Sequence, residues 1–577
     1  MKLILNYLKR YKILFLIDAI SVFGFALVEL GIPTLISKMI DLGVAGKDME
    51  ALVSNFGWMS LISIIGVAGT IVLGFTSTKI STNVTRDIRN DVFEKAMTFS
   101  SAEMERFGVS SMITRTNNDA YQIMMFLNVL LRMALMAPVM TIVSLVLVLR
   151  ISLPLSFIVL ATIPFILLGV LIVAKVSEPI SENQQNSIDR INKILREHIT
   201  GIRVIRSFNK EEDEETRFSR ENNYYQGQSS KLFKLMACTE PTFFLLMNIA
   251  MLTVYFFSCN LLGAHLMTIG DLLAFIEYVF HVMMSVLIFC MVFMMYPRAN
   301  VSAKRIQSIL DTESSIYDVN EAVSCEPIQS LEFKDVCFSY PDGEEAILKD
   351  INFTCKAGEK IAVIGSTGSG KSSLVKLITR LYDATRGEIL VNGINIKSYS
   401  IQSYRKHIGY VAQKAHLFKG TIQENIAFGK PEASMEEIQE AALIAQAKEF
   451  IEVRENQYQD MISEDGTNVS GGQKQRLSIA RAILMNPSLY IYDDSFSALD
   501  FKTDATLRKA LKPKVKNAIF FVVAQRISTI LDADKILVLD EGKLVGYGTH
   551  KELMETCSIY QEIALSQLSR EELRMHA

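Results

Sequence analysis

A chain of 577 residues is too long for a single hydrophobic core, so two or more domains are expected. Its 59 basic and 62 acidic residues leave a net charge of −3, which gives no electrostatic case for nucleic acid as a partner. Seven scattered cysteines without a CxxC pair argue against a disulfide framework or a zinc site and suit a reducing compartment.

The chain opens on MKLILNYLKRYK, a short basic amphipathic stretch without a small-residue cleavage site, which reads as a retained helix on a membrane surface. Apolar runs then dominate up to about residue 300. Residues 51–78, 151–174 and 241–264 carry no charge, and each is long enough to cross a hydrocarbon core of about 30 Å. Three more runs bring the count to about six helices: 13–37, which contains Asp18 and Glu29; 133–149, between Arg132 and Arg150; and 272–296, which contains Glu277. The linkers near 43–49, 150–153 and 265–271 are brief, whereas 79–125, 175–234 and the segment after 296 are long and rich in Lys and Arg. That asymmetry places the long segments and both termini on the cytoplasmic side. The long segments keep helical texture, so the membrane helices should extend far into the cytosol. They are expected to end in turns near 110–116 and 201–208, where they would touch a soluble domain.

Two readings stay open for the ionisable residues Asp18, Glu29, Arg132 and Glu277: they line a polar path, or they sit near interfaces and pair or snorkel. Two methionine stripes are equally ambiguous. Met133, Met136 and Met140, and likewise Met284, Met291 and Met295, suit a pocket that accepts many apolar shapes, or ordinary helix packing.

From 311 to 330 the chain turns polar and reads as a linker. The rest, 331–577, has soluble α/β texture, so the expected fold class is a polytopic all-α transmembrane domain (1–310), with long cytoplasmic extensions, followed by an α/β P-loop NTPase domain. Strand-like LEFKDVCFSY ends at Tyr340, ahead of the turn PDG. The apolar strand KIAVI then runs into Gly365-Ser366-Thr367-Gly368-Ser369-Gly370-Lys371-Ser372, and a helical pattern starting with Ser372 and Ser373 follows at once. Glycines there let backbone N–H groups wrap phosphates, Lys371 reaches the β and γ phosphates, and the Ser372 hydroxyl can ligate Mg2+. ATP and magnesium are the expected ligands.

Further along, the strand HIGYVAQ ends in Gln413, whose carbonyl suits a magnesium position or a water. In Ser470-Gly471-Gly472-Gln473 small residues at a helix start would let backbone N–H groups approach a phosphate. The strand LYIYDD then ends in Asp493, which can support a magnesium ion, and Asp494, one methylene shorter than a glutamate for orienting an attacking water. After the turn SALD a last strand, AIFFVVAQ, ends in Gln525.

Phosphate loop, Gln, SGGQ, a hydrophobic strand with Asp, and SALD, all behind six apolar spans, resemble the ATP-binding cassette (ABC) exporter half-transporters over nearly the whole chain. ERFGVSSMITRTNND and EHITGIRVIRSFNKEE resemble that family's cytoplasmic loops, and NVSAKRIQSILD resembles the exit from its sixth helix. The resemblance implies that Tyr340 stacks on adenine, that Gln413 senses magnesium and that Asp493 holds the magnesium shell. It also implies that Ser497 to Asp500 speak across a dimer and that Ser470 to Gln473 contact ATP on a partner's phosphate loop. Two positions depart from the family pattern: Asp494 stands where a catalytic glutamate is expected, and Gln525 where a histidine is expected.

Both departures weaken the same half-site, while the phosphate loop stays intact. The expectation is therefore a subunit of a heterodimeric exporter with a degenerate, slowly hydrolysing site. Its signature would complete the site of a second half-transporter that carries the consensus Glu and His. The expected setting is a plasma membrane with termini and cassette cytoplasmic, and the expected cargo a small amphipathic drug or lipid. The alternatives are an ATP-gated regulatory or channel-like protein and an exporter of peptides.

Overall fold

A computed structural model describes residues 1–341 and 343–568. Asp342, in the middle of the expected PDG turn, and residues 569–577, the expected end of the second domain, lie outside the described residues. The chain forms two compact units, one of residues 1–97 and 110–312, the other of 98–109 and 313–577.

In the first unit, six helical stretches are long and apolar enough to cross a membrane: Lys2–Ala45, Met49–Met97, Val109–Ile151, Leu153–Ser207, Glu211–Gly263 and Ile269–Leu310. With no water in hydrocarbon, every backbone polar group must be satisfied within its own segment, which selects continuous helices for these apolar runs. The basic lead forms a short helix, Lys2–Leu8, that breaks at Tyr11. Tyr7 and Tyr11 pin it to the Met49–Met97 helix by donating to Asp91 at 2.5 Å and to Asp87 at 2.7 Å.

Of the ionisable residues in the spans, Asp18 is fully buried and accepts from the Thr76 hydroxyl at 2.6 Å. Arg132 is exposed in the π-helical turn Leu130–Ala134. Glu29 and Glu277 face one cavity. The methionine stripes divide: Met140 is buried in the helix core, Met133 and Met291 are exposed, and Met284 lines a cavity with Met236, Met247 and Met283.

The first helical excursion ends differently from the expected turn at 110–116. The breaks fall at Phe99–Ser100 and at Gly108, whose φ of +74° suits glycine, while 109–119 stays helical. The short helix Ser101–Phe107 between them groups with the α/β unit, where Ala102 packs on its core and Glu103 accepts from the Ser315 backbone at 3.1 Å. The second excursion runs helically to Ser207 and turns at Phe208–Lys210.

In the α/β unit, six strands lie in the order Lys543–Gly548, Lys535–Asp540, Lys360–Gly365, Ile519–Val523, Leu489–Asp493, Ile408–Val411. All neighbours are parallel except the first pair. Ile519–Val523 and Leu489–Asp493 are buried at every residue, as parallel strands covered on both faces must be, and this explains their apolar sequences, interrupted only by Asp493 at the end of the second. A second, antiparallel sheet orders Leu348–Lys356, Ser330–Phe338, Arg386–Val391 and Ile394–Asn395. Register in the parallel sheet positions the site. Val523 pairs with both Val363 and Asp493, and Val411 with Tyr492, so four strands end side by side at their carboxyl ends.

Candidate nucleotide site

Each of those four strand ends hands a functional segment to the same crevice, where open parallel sheets bind ligands. Gly365 leads into the glycine loop, Asp493 into Asp494, Val523 into Gln525 and Val411 into Gln413. A cavity of about 330 Å3 collects Thr367, Gly368, Gly370, Lys371, Ser372 and Ser373 on one side. Gln413, Asp493, Asp494 and Gln525 line the other.

Loop shape follows from its glycines. Gly368 and Gly370 have φ of +86° and +99°, and a Cβ on Gly365 would lie 2.1 Å from the Leu539 carbonyl oxygen of the neighbouring strand. The loop therefore turns tightly against the sheet and delivers the Lys371–Ile378 helix N-terminus to the cavity. Gly365 and Ser366 accept the Lys371 ammonium at 2.9 and 2.7 Å through their carbonyls, and Ser369 Oγ lies 3.5 Å from it. Burial lowers the Lys371 pKa, against the raising effect of Asp494 and Asp493.

The acidic side is built as tightly. Asp494 adopts φ of +49°, a left-handed conformation that aspartate tolerates better than most residues, and its N–H donates to Val523 O at 3.0 Å. Its Oδ2 accepts from Gln525 Nε2 at 2.7 Å and from Gln413 Nε2 at 3.3 Å. Burial raises the Asp494 pKa, with the Gln413 amide opposing it; burial and the neighbouring Asp494 charge raise that of Asp493. Two buried carboxylates beside the Lys371 ammonium would suit a divalent cation. Ser372 and Gln413, which line the same cavity, are the residues that would hold it.

Residues 15–287 match the family described as the ABC transporter transmembrane region, and 348–497 the one described as ABC transporter. The uncharacterized ABC transporter ATP-binding protein YfiB of Bacillus subtilis (strain 168) is 34% identical over 98% of both chains. The uncharacterized ABC transporter ATP-binding protein Rv1273c of Mycobacterium tuberculosis (strain ATCC 25618 / H37Rv) is 33% identical over 94% of both. The chain belongs to the ABC transporter family. It is a half-transporter, with one membrane region and one ATP-hydrolysing cassette. Its fold is also that of a solved bacterial Atm1-family ABC exporter with ATP bound, at a TM-score of 0.78 and 23% identity over 98% of both chains.

Within the cassette the remaining expected site residues lie elsewhere. Tyr340 is outside the phosphate cavity: its hydroxyl hydrogen-bonds Ser373 Oγ at 3.0 Å, its ring meets Phe338 and Tyr382 edge-on, and the Lys376 ammonium lies 5.1 Å from its centroid. Ser470 to Gln473 are also absent from that cavity. They start the Gly471–Leu484 helix as a capping box, Ser470 Oγ accepting from Gln473 N at 3.3 Å and Gln473 Oε1 from Ser470 N at 3.0 Å. Gly471 is exposed, with open space where a side chain would project. Asp500 caps the next helix by accepting from Thr503 N at 3.0 Å, and the Ser497 hydroxyl donates to Asp494 O at 2.8 Å.

Two wall residues of the phosphate cavity, Ile347 and Val523, have no polar signal in the sequence. Val523 was findable as the last residue of an apolar strand; Ile347 sits in a loop and is placed only by tertiary structure.

Proposed function

We infer that this half-transporter is the degenerate-site subunit of a heterodimeric ATP-driven exporter that moves amphipathic drugs or lipids across the plasma membrane. One observation carries the reading: the Asp494 carboxylate accepts two side-chain amides, Gln525 at 2.7 Å and Gln413 at 3.3 Å. A catalytic base needs a carboxylate free to take a water, and a γ-phosphate contact is strongest from a group that can carry positive charge. Asp494 is short and already held, and Gln525 is neutral. Misplacing a water-orienting group by about 1 Å lowers rates on the order of a hundredfold.

Binding needs neither Asp494 nor Gln525. The glycine loop presents backbone N–H groups at a helix N-terminus, Lys371 supplies the cation for the β and γ phosphates, and Ser372 and Gln413 would hold magnesium. The magnesium ion, when bound, neutralises phosphate charge. The partly exposed, self-capped Ser470–Gln473 segment suits a phosphate held by another subunit, so this chain would lend a sound signature to a partner with Glu and His. Long Lys- and Arg-rich segments support a reading with the termini and cassette in the cytoplasm. ATP-driven closure of the paired cassettes would bias the helices outward.

The test is to purify the chain alone and with a candidate partner, then measure ATP turnover and ATP-driven uptake into inverted vesicles. Slow turnover alone, brisk turnover and uptake in the complex are expected. Brisk turnover by the lone chain overturns the degenerate-site reading, and ATP-gated passive flux overturns the exporter reading.

A further inference from the structure

The membrane unit contains chemistry that the nucleotide site does not use. Glu29, Tyr255, Glu277 and His281, from three different helices, line one cavity of about 510 Å3. Glu277 and His281 are four residues apart and share a helix face, while Glu29, Ile32, Pro33 and Ile36 follow the i, i+3, i+4, i+7 spacing of the opposing face. At 1.5 Å per residue Tyr255, Glu277 and His281 lie about 12–18 Å from the helix ends at Gly263 and Ile269, and Glu29 about 24 Å from Ala45, all within apolar runs long enough to span a membrane.

An ionisable side chain at that depth is costly unless something polar meets it. Glu29 has a partial answer, His281 Nε2 standing 3.4 Å from its Oε2. Glu277 has no hydrogen-bond or ion-pair partner among the described residues, yet it opens onto the same cavity. The remaining wall is apolar and aromatic, with Ile32, Ile36 and Ile276 and the ring of Tyr255. Two carboxylates against one histidine leave the cavity short of positive charge, and its walls suit a hydrocarbon body. A divalent metal matches less well, because no group of three His, Cys, Asp or Glu among the described residues is arranged to hold one.

We propose that this cavity binds a monovalent organic cation with an apolar body, the charge set against Glu277 and Glu29 and the body against Ile32, Ile36 and Tyr255. The low dielectric strengthens such a pairing, and the aromatic face adds cation–π attraction. A second membrane cavity, of about 300 Å3, holds a single carboxylate, Glu240, among Met236, Phe243, Met247 and Met283, and serves as the internal control. That the cation is also cargo rests on the exporter reading; its binding does not.

The experiment places the full chain in phosphatidylcholine nanodiscs and titrates radiolabelled tetraphenylphosphonium, with triphenylphosphine oxide as the uncharged comparison. ATP binding to each variant reports folding. Saturable binding is expected for the unmodified chain and for Glu240→Gln, weakened at least about tenfold in Glu277→Gln and in Glu29→Gln, with Glu277→Asp recovering to within about threefold. Triphenylphosphine oxide should bind all variants alike. The proposal is overturned if the unmodified chain shows no saturable binding, if Glu240→Gln alone abolishes it, or if Glu277→Gln and Glu29→Gln both stay within about twofold. If Glu277→Gln also loses ATP binding, Glu29→Gln and Glu277→Asp decide by the same criteria. Glutamate-dependent binding without ATP-driven uptake upholds the site and removes the exporter reading; uptake with binding indifferent to both glutamates does the reverse.

Discussion

Gln525 Nε2 donates to Asp494 Oδ2 at 2.7 Å, so the two residues that depart from the family pattern are partners. The amide fixes the carboxylate, and the short carboxylate leaves room for the amide. Replacing one alone breaks the pair without building its alternative. Asp494→Glu and Gln525→His singly should each raise hydrolysis at this site less than about threefold, and the double variant on the order of a hundredfold. The measurement is ATPase activity of a complex whose partner site is silenced, where additive single effects would contradict the coupling.

The glycine loop makes a graded prediction. A methyl group on Gly365 would lie 2.1 Å from the Leu539 carbonyl of the adjacent strand, a backbone atom that cannot move aside, whereas Gly368 has open space around it and only its φ of +86° to resist a side chain. Gly368→Ala should cost about 1–2 kcal/mol, as left-handed backbone does. Gly365→Ala should cost more, by about 1–3 kcal/mol of overpacking, and should weaken ATP binding in parallel. Thermal unfolding of the cassette and nucleotide affinity check the order.

Glu103 gives a pH dependence. Burial alone would raise its pKa, but hydrogen bonds from Ser100 and Ser315 outweigh burial and hold it below the ordinary 4.5. Its Oε2 accepts from Ser100 N and Oγ, at 2.9 and 2.6 Å, and its Oε1 from Ser315 N at 3.1 Å. A carboxylate with a lowered folded pKa contributes stability that is present above its unfolded pKa and lost as pH falls through the folded one. Hydrogen-exchange protection of residues 98–109 should therefore hold from pH 7 to about 5 and fall below about 4.5. Glu103→Gln should reduce it by about 1–3 kcal/mol at pH 7 and flatten the dependence.

Much of this architecture was legible because the signals are local. A charge-free run such as 51–78 has one solution in hydrocarbon, and a strand running into GSTGSGKS and then a helix has one in a phosphate site. The parts that escaped are long-range. The turn expected at 110–116 lies instead at 99–108, because Glu103 is held by Ser315, 212 residues away, and no periodicity encodes that contact. Glu29 and Glu277 stand out as charges in apolar runs, but His281 reads as one more helical residue until the fold sets it 3.4 Å from Glu29. In the nucleotide site the identities of Asp494 and Gln525 were readable, while their hydrogen bond needed the register that pairs Val523 with Asp493.

Ser470 tests whether the signature serves its own subunit or a partner. Its side chain accepts from Gln473 N and closes a capping box at the Gly471–Leu484 helix, so Ser470→Ala removes a cap and should cost about 1 kcal/mol of cassette stability. The residue does not line this chain's own phosphate cavity, so ATP affinity of the lone chain should stay within about twofold. If the signature completes a partner's site, as proposed, the same change in the assembled transporter removes a donor from that site, and turnover should fall by about tenfold or more. Ser470→Thr keeps the cap and distinguishes the two effects: it should restore stability whether or not it restores turnover. Loss of ATP binding by the isolated Ser470→Ala chain would mean that the signature acts within its own subunit, and the division of labour between the two faces would fail.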